Sequence, residues 1–214
     1  MVMVMVMVIA MKMSLAMALL LAIAANVGVS TMVSSFRLTF TDFLDQRLAS
    51  ELYVRTDGPA QSAELAAFAD GRVDAILPIQ NADIRVAGQA TEVIGARDHS
   101  TYRDFWVFLQ SDANAWDRTF AGEAVVINEQ LSRRGGLSVG DVIDVQDRAF
   151  EIVGVYGDYG NPIGQAVMAE AVFADLFPDV LAQNLGLRMP PGEVADFVTE
   201  LSATTGIPAT QPVD

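Results

Sequence analysis

Met13–Phe36 reads MSLAMALLLAIAANVGVSTMVSSF, 24 residues without a charge. As a helix the stretch spans ~36 Å at about 1.5 Å per residue. A bilayer core is about 30 Å thick, so the segment can cross with some tilt. A helix satisfies its own backbone groups where lipid offers no partner. The remainder, roughly 160 residues, is long enough to bury a core of its own. The expectation is a folded domain carried on one membrane helix.

Residues 1–12 form a low-complexity apolar start (MVMVMVMVIAMK). Their Met/Val alternation has a strand's period, but both faces would be apolar and nothing fixes an orientation. A cleaved signal is the rival reading, with Lys12 closing a basic region and Ala22-Ile23-Ala24 as a small-x-small site. Hydropathy that continues through Val27, Val29, Met32 and Val33 to Phe36 favours an uncut anchor. Charge does not orient it, with Lys12 on one side and Arg37 and Arg47 on the other. Over 37–50, Phe40, Phe43, Leu44 and Leu48 follow Phe36 at helical spacing. The expected structure is an amphipathic stalk continuing the membrane helix.

The net charge of −14 disfavours nucleic acid and anionic headgroups as partners. With no cysteine there is no disulfide, thiolate nucleophile or thiolate metal site.

Further along, ELYVRT (51–56), SAELAAFAD (62–70) and VDAILPIQ (73–80) read as strand, helix, strand. A strand-rich stretch follows over 83–89, 91–97, 105–110, 124–128, 142–146 and 149–157. Within it EQLSRRG (129–135) reads as a helix capped by Asn128 and stopped at Gly135 or Gly136. AVMA (166–169), EAVFADLF (170–177), NLGLRM (184–189) and GEVADFVTEL (192–201) alternate strand and helix, the last opened by Pro190-Pro191. The expected fold is α+β: two βαβ units, 51–82 and 163–205, flank a β-rich insert over 83–162, and 206–214 is a tail.

Two stretches carry a resemblance. LLLAIAANVGVSTMVSSFRLTFTDFLDQRLASELYVR resembles the helix and stalk that open an extracytoplasmic domain in FtsX-like permeases of ABC transporters. EAVVINEQLSRRGGLSVGDVIDVQDRAFEIVGVYGDYGNP resembles the MacB-like periplasmic domain. The likeness covers roughly residues 15–205 and is nearest the large multi-span permeases with two such domains. It implies a porter-like pair of βαβ units with an inserted β lobe. It also implies a cell-membrane protein whose main domain is extracytoplasmic. Its partners would be a cytoplasmic ABC ATPase subunit, the remaining membrane helices of the permease and, where one exists, a periplasmic partner protein. The role would be mechanotransmission, in which ATP hydrolysis drives movement or extraction of a lipid, lipoprotein or peptide. A whole permease of this kind carries at least four membrane helices and this sequence shows one, so a fragment is expected.

No catalytic, cofactor-binding or metal-ligating residue is assigned, and the chain is read as no enzyme. His99, the single histidine, is expected in a solvated loop. Asp141, Asp144 and Asp147 lack the ligand density of a calcium loop. Gly154, Gly157, Gly160 and Gly164 match no phosphate-loop spacing. Arg133 and Arg134 make no basic patch. Tyr102, Phe105, Trp106 and Phe108 can serve the core or a partner-facing surface, since alternation in FWVF permits both. The alternative function is a secreted or singly anchored acidic module that binds a peptide or cell-wall ligand. An anchored hydrolase, with His99 as its natural base, is a third.

Overall fold

The computed structural model describes residues 2–47, 50–158 and 161–210. Helix α1 (Val2–Arg47) contains one candidate membrane span, Met5–Leu38. Its apolar side chains, Leu19, Leu20 and Leu21 among them, are exposed. Such a surface needs lipid or other helices around it. The apolar stripe expected of Phe40, Phe43, Leu44 and Leu48 lies on side chains outside the described residues.

In the folded domain, β1 (Leu52–Arg55), α2 (Pro59–Ala69) and the first half of β2 (Ala75–Val86) form one βαβ unit. The unit of β9 (Asn184–Arg188), α7 (Val194–Thr205) and β10 (Ala209–Thr210) forms the other, so the expected tail contains a short strand. These strands lie in the order β10-β1-β9-β2. β9 pairs antiparallel with both β1 and β2, and β1 pairs antiparallel with both β9 and β10. Each βαβ unit is therefore split by a strand of the other, the ferredoxin-like arrangement. Its core joins Leu52 and Val54 to Leu65 of α2 and to Phe197 and Leu201 of α7. Gly58-Pro59 opens α2, because a proline at the first helical position loses no hydrogen bond. Gly206, in the left-handed region at φ 70°, stops α7.

The two strands expected over 73–80 and 83–89 are one. Asn81 pairs with Ile94 in the ladder instead of turning, so β2 stays extended and changes partner, from β9 at Ile79↔Asn184 to β3 (Gln89–Ala96) at Gln80↔Gly95. Ala87 and Gly88, both at positive φ, close the β2–β3 hairpin. The sheet continues as β3-β8-β5-β7-β4, with β6 (Val142–Val145) also on β7. Here β4 is Phe108–Ser111, β5 is Ala124–Asn128, β7 is Arg148–Tyr156 and β8 is Gly164–Ala169.

This lobe is covered on both faces, which explains why the AVVI of β5 (124–127) is apolar at every position. Val125 and Ile127 face one core, with α5 (Glu129–Gly135) and α6 (Glu170–Leu176). Ala124 and Val126 face a second, with Trp116 and Tyr156. Strand pairing and burial place β8 and α6 in the lobe rather than with the βαβ units. The strand expected over 105–110 is shorter. Phe105 ends a helix, α3 (Ser100–Phe105), and a further helix, α4 (Ala115–Phe120), precedes β5.

Candidate functional site

Ser50 and Glu51 are the first described residues after α1. Ser50 is buried behind Gly186 of β9, which has no room for a Cβ. The Glu51 carboxylate accepts from the Met189 N–H at 3.2 Å and pairs with Arg188 Nε at 3.3 Å. Arg188 Nη1 in turn donates to Thr101 Oγ1 at 3.4 Å. Thr101 is buried in the first turn of α3. Its backbone N–H donates to His99 Nδ1 at 3.2 Å, and its hydroxyl lies 2.9 Å from the same nitrogen. An N–H can only donate, so Nδ1 is the acceptor and the ring proton sits on Nε2. The hydroxyl then donates to His99 and accepts from Arg188. The relay Glu51–Arg188–Thr101–His99 thus ties the ferredoxin-like sheet to the lobe.

A second tie runs beside it. Arg97, just after β3, grips Glu170 with Nε at 2.7 Å and Nη2 at 2.9 Å, and Nη1 donates to the Ile76 carbonyl of β2 at 3.0 Å. A two-pronged guanidinium–carboxylate contact fixes direction as well as distance. Two tyrosines are associated with these ties. Burial, helped by Tyr53 and Glu170, pushes the Tyr102 hydroxyl up to about 12. Burial also raises Tyr53, with Ser50 and Arg188 opposing. Both stay neutral phenols.

The loop after β7 is pinned from below. Asn128 is fully buried. Its Oδ1 accepts from the Leu131 and Gln165 N–H groups, and its Nδ2 donates to Asp158 Oδ2 at 3.0 Å and to the Ile163 carbonyl at 2.9 Å. Asn161 also donates to Asp158, at 2.8 Å. Tyr156 donates to Gln165, which donates to Glu92.

His99 therefore caps α3 rather than occupying a solvated loop. Asp141 accepts from the Ser138 N–H in a turn. Among the described residues no group of three or more His, Asp or Glu is placed to hold a metal. Gly154 backs onto the Phe108 ring, and Gly164 onto the Ala90 carbonyl and Leu131. Arg133 pairs with Glu129, and Arg134 donates to the Pro162 carbonyl. Tyr102, Trp106 and Phe108 pack with Trp116 and Phe120, whereas Phe105 is exposed. Thr101 and His99 do not form a reachable nucleophile–base pair, because the hydroxyl is buried.

Sequence reasoning missed Glu51, Arg97, Glu170 and Arg188. Their partners lie 21 to 138 residues away along the chain. The one local signal is an arginine ending a buried strand, as after LGL in NLGLR.

The profile of the MacB-like periplasmic core domain family matches residues 15–207. Two solved structures share the fold. The periplasmic region of MacB from Actinobacillus actinomycetemcomitans is 9% identical, with a TM-score of 0.54 over 75% of this chain and 87% of that one. The extracellular domain of the noncanonic ABC-type transporter YknZ from Gram-positive bacteria is 10% identical, with a TM-score of 0.54 over 77% of this chain and 100% of that one. No curated protein matches the chain.

Proposed function

The chain belongs to the MacB-like periplasmic core domain family of ABC transporter permeases, and from that premise we propose that it passes movement between a membrane helix and an extracytoplasmic domain. In this reading α1 sits in the cell membrane among the remaining helices of a permease. A cytoplasmic ABC ATPase supplies the motion. The domain, with no catalysis of its own, acts on a lipid, lipoprotein or peptide, alone or through an extracytoplasmic partner protein.

The observation that carries the proposal is the polar relay. Glu51, four residues beyond the end of α1, is tied through Arg188 to Thr101. Networks of ion pairs and hydrogen bonds of this kind can have two discrete arrangements and so carry coupling between elements.

The test is Arg188→Met in the native permease, purified with its ATPase. Met keeps the apolar stem and removes the charge. ATP hydrolysis should persist while substrate-stimulated turnover falls roughly fivefold or more, the lower range of a typical coupling energy. Unchanged stimulation sinks the relay. A native membrane product that retains the 23.0 kDa of this chain and co-purifies with no ATPase sinks the permease reading and leaves a singly anchored binding module.

A further inference from the structure

Strand β4 is the last strand on its path through the sheet, and among the described residues only β7 pairs with it. One side of its backbone therefore has no strand partner. Exposed edges are normally protected by charges, proline or a bulge. The run 105–111, FWVFLQS, holds no charge and no proline. Its one protection is a bulge between Phe108 and Gln110. Three apolar side chains along it stand out into solvent: Phe105 at the end of α3 is 45% exposed, Val107 just before the strand 71% and Leu109 at the bulge 56%. The residues between them, Trp106 and Phe108, are packed against the aromatic core, so the stripe rests on a firm base. The strand is also held to β7, by a Gly157 N–H to the Val107 carbonyl at 3.2 Å and an Asp112 N–H to the Val153 carbonyl at 2.9 Å.

The charge around this edge is negative. Arg103 is shared by Asp98 and Asp117, and Arg118 by Asp112 and Glu151. Each cation thus meets two carboxylates. Exposed Asp104, and Asp144 on β6 along the same side of β7, add to the excess.

We propose that β4 is a docking edge for an extended segment of a partner protein, with apolar side chains at alternate positions and Lys or Arg at its ends. Main-chain pairing would extend the sheet, the stripe would select the apolar positions, and the carboxylates would select the basic flanks. A second copy of this chain fits poorly, because its own β4 edge carries the same excess of carboxylates and both nearby arginines are already paired. Anionic lipid meets the same repulsion. The bulge limits the docked length to a few residues. The proposal rests on the permease reading only in placing the partner outside the cytoplasm.

The test titrates a fluorescent peptide of alternating Val and Thr, flanked by lysines, against the full chain in neutral-lipid nanodiscs. Binding should saturate and should weaken at least roughly tenfold, a loss of about 1.4 kcal/mol, in Leu109→Lys and in Val107→Lys. Leu181→Lys, which removes an exposed apolar side chain elsewhere, should change nothing. A peptide with glutamate flanks should bind more weakly. Equal loss in all three variants, insensitivity to the flanking charge, or no saturable binding overturns the proposal. Leu109-dependent self-association of the chain overturns it in favour of a second copy. No ATPase is present, so failure here is distinct from failure of coupling.

Discussion

Asn128 is the residue whose loss should cost the fold most for its size. Its side chain makes four hydrogen bonds, two accepted from the Leu131 and Gln165 N–H groups and two donated to Asp158 and the Ile163 carbonyl, all but the last buried. Asn128→Ala removes a helix cap, worth ~1 kcal/mol. It also strands groups that cost ~1–3 kcal/mol each when buried without a partner. Relaxation prevents full addition, so the expected total is about 3–5 kcal/mol. For a domain of this size that is a fall in melting temperature of roughly 6–20 °C. Trp106 and Trp116 both report on the lobe, so intrinsic fluorescence during thermal and urea unfolding of the full chain in detergent is a suitable assay. Asn128→Ser keeps an acceptor but loses the donors, and should fall between. Asn128→Asp keeps Oδ1 but turns an oxygen toward Asp158. Relative to the parent, the variant should be least destabilised in acid, where one oxygen of the pair can carry a proton and donate, and the deficit should grow as pH rises. A cost of 1 kcal/mol or less for Asn128→Ala, equal to that for Asn128→Ser, would mean that the residue is only a cap and would refute the network.

Gly95 of β3 leaves no room above Phe173: a Cβ there would lie 2.6 Å from Phe173 Cγ and 2.7 Å from its Cβ. Gly95→Ala should therefore cost ~1–3 kcal/mol by overpacking. Phe173→Ala should recover part of that cost in a double-mutant cycle, and strict additivity would refute the contact. Acid should weaken the outer lobe. Asp98 is held below its ordinary range by the Arg103 hydrogen bonds and Glu151 by Arg118. A lowered folded-state pKa gives stability that is present above the unfolded values of 3.8 and 4.5 and is lost as pH falls through the folded ones. Melting temperatures measured downward from pH 6 should begin to fall near pH 4.5 to 4. Arg103→Met with Arg118→Met should flatten that fall, and an unchanged profile would exclude these pairs as its cause.

The sequence made local features legible because their determinants are local. Asn128 and Gly136 bound α5 as expected, since a cap needs only its own turn and a stop only a glycine able to enter φ 65°. The α+β order followed from hydrophobic period and proline–glycine punctuation, whereas the interleaving of the two βαβ units depends on which strands pair and has no local mark. Helix α3 was hidden because FWVFLQ alternates like a strand, while the helix is set by His99, whose ring caps it from a residue earlier. The length of β2 was hidden because a strand that changes neighbours has no local mark at the change. Those two misses sit where the two halves of the folded domain meet. β2 crosses from the ferredoxin-like sheet into the lobe, α3 supplies Thr101 to Arg188, and Arg97 reaches back to the Ile76 carbonyl. The joint between the halves is made of polar contacts between residues far apart in sequence, each exposed in part and each energetically modest alone. Cores are written in periodic apolar patterns and can be read one segment at a time. A joint made of single polar contacts is not written that way. Its residues carry no period, and their meaning depends on a fold that brings Glu51, Thr101 and Arg188 together.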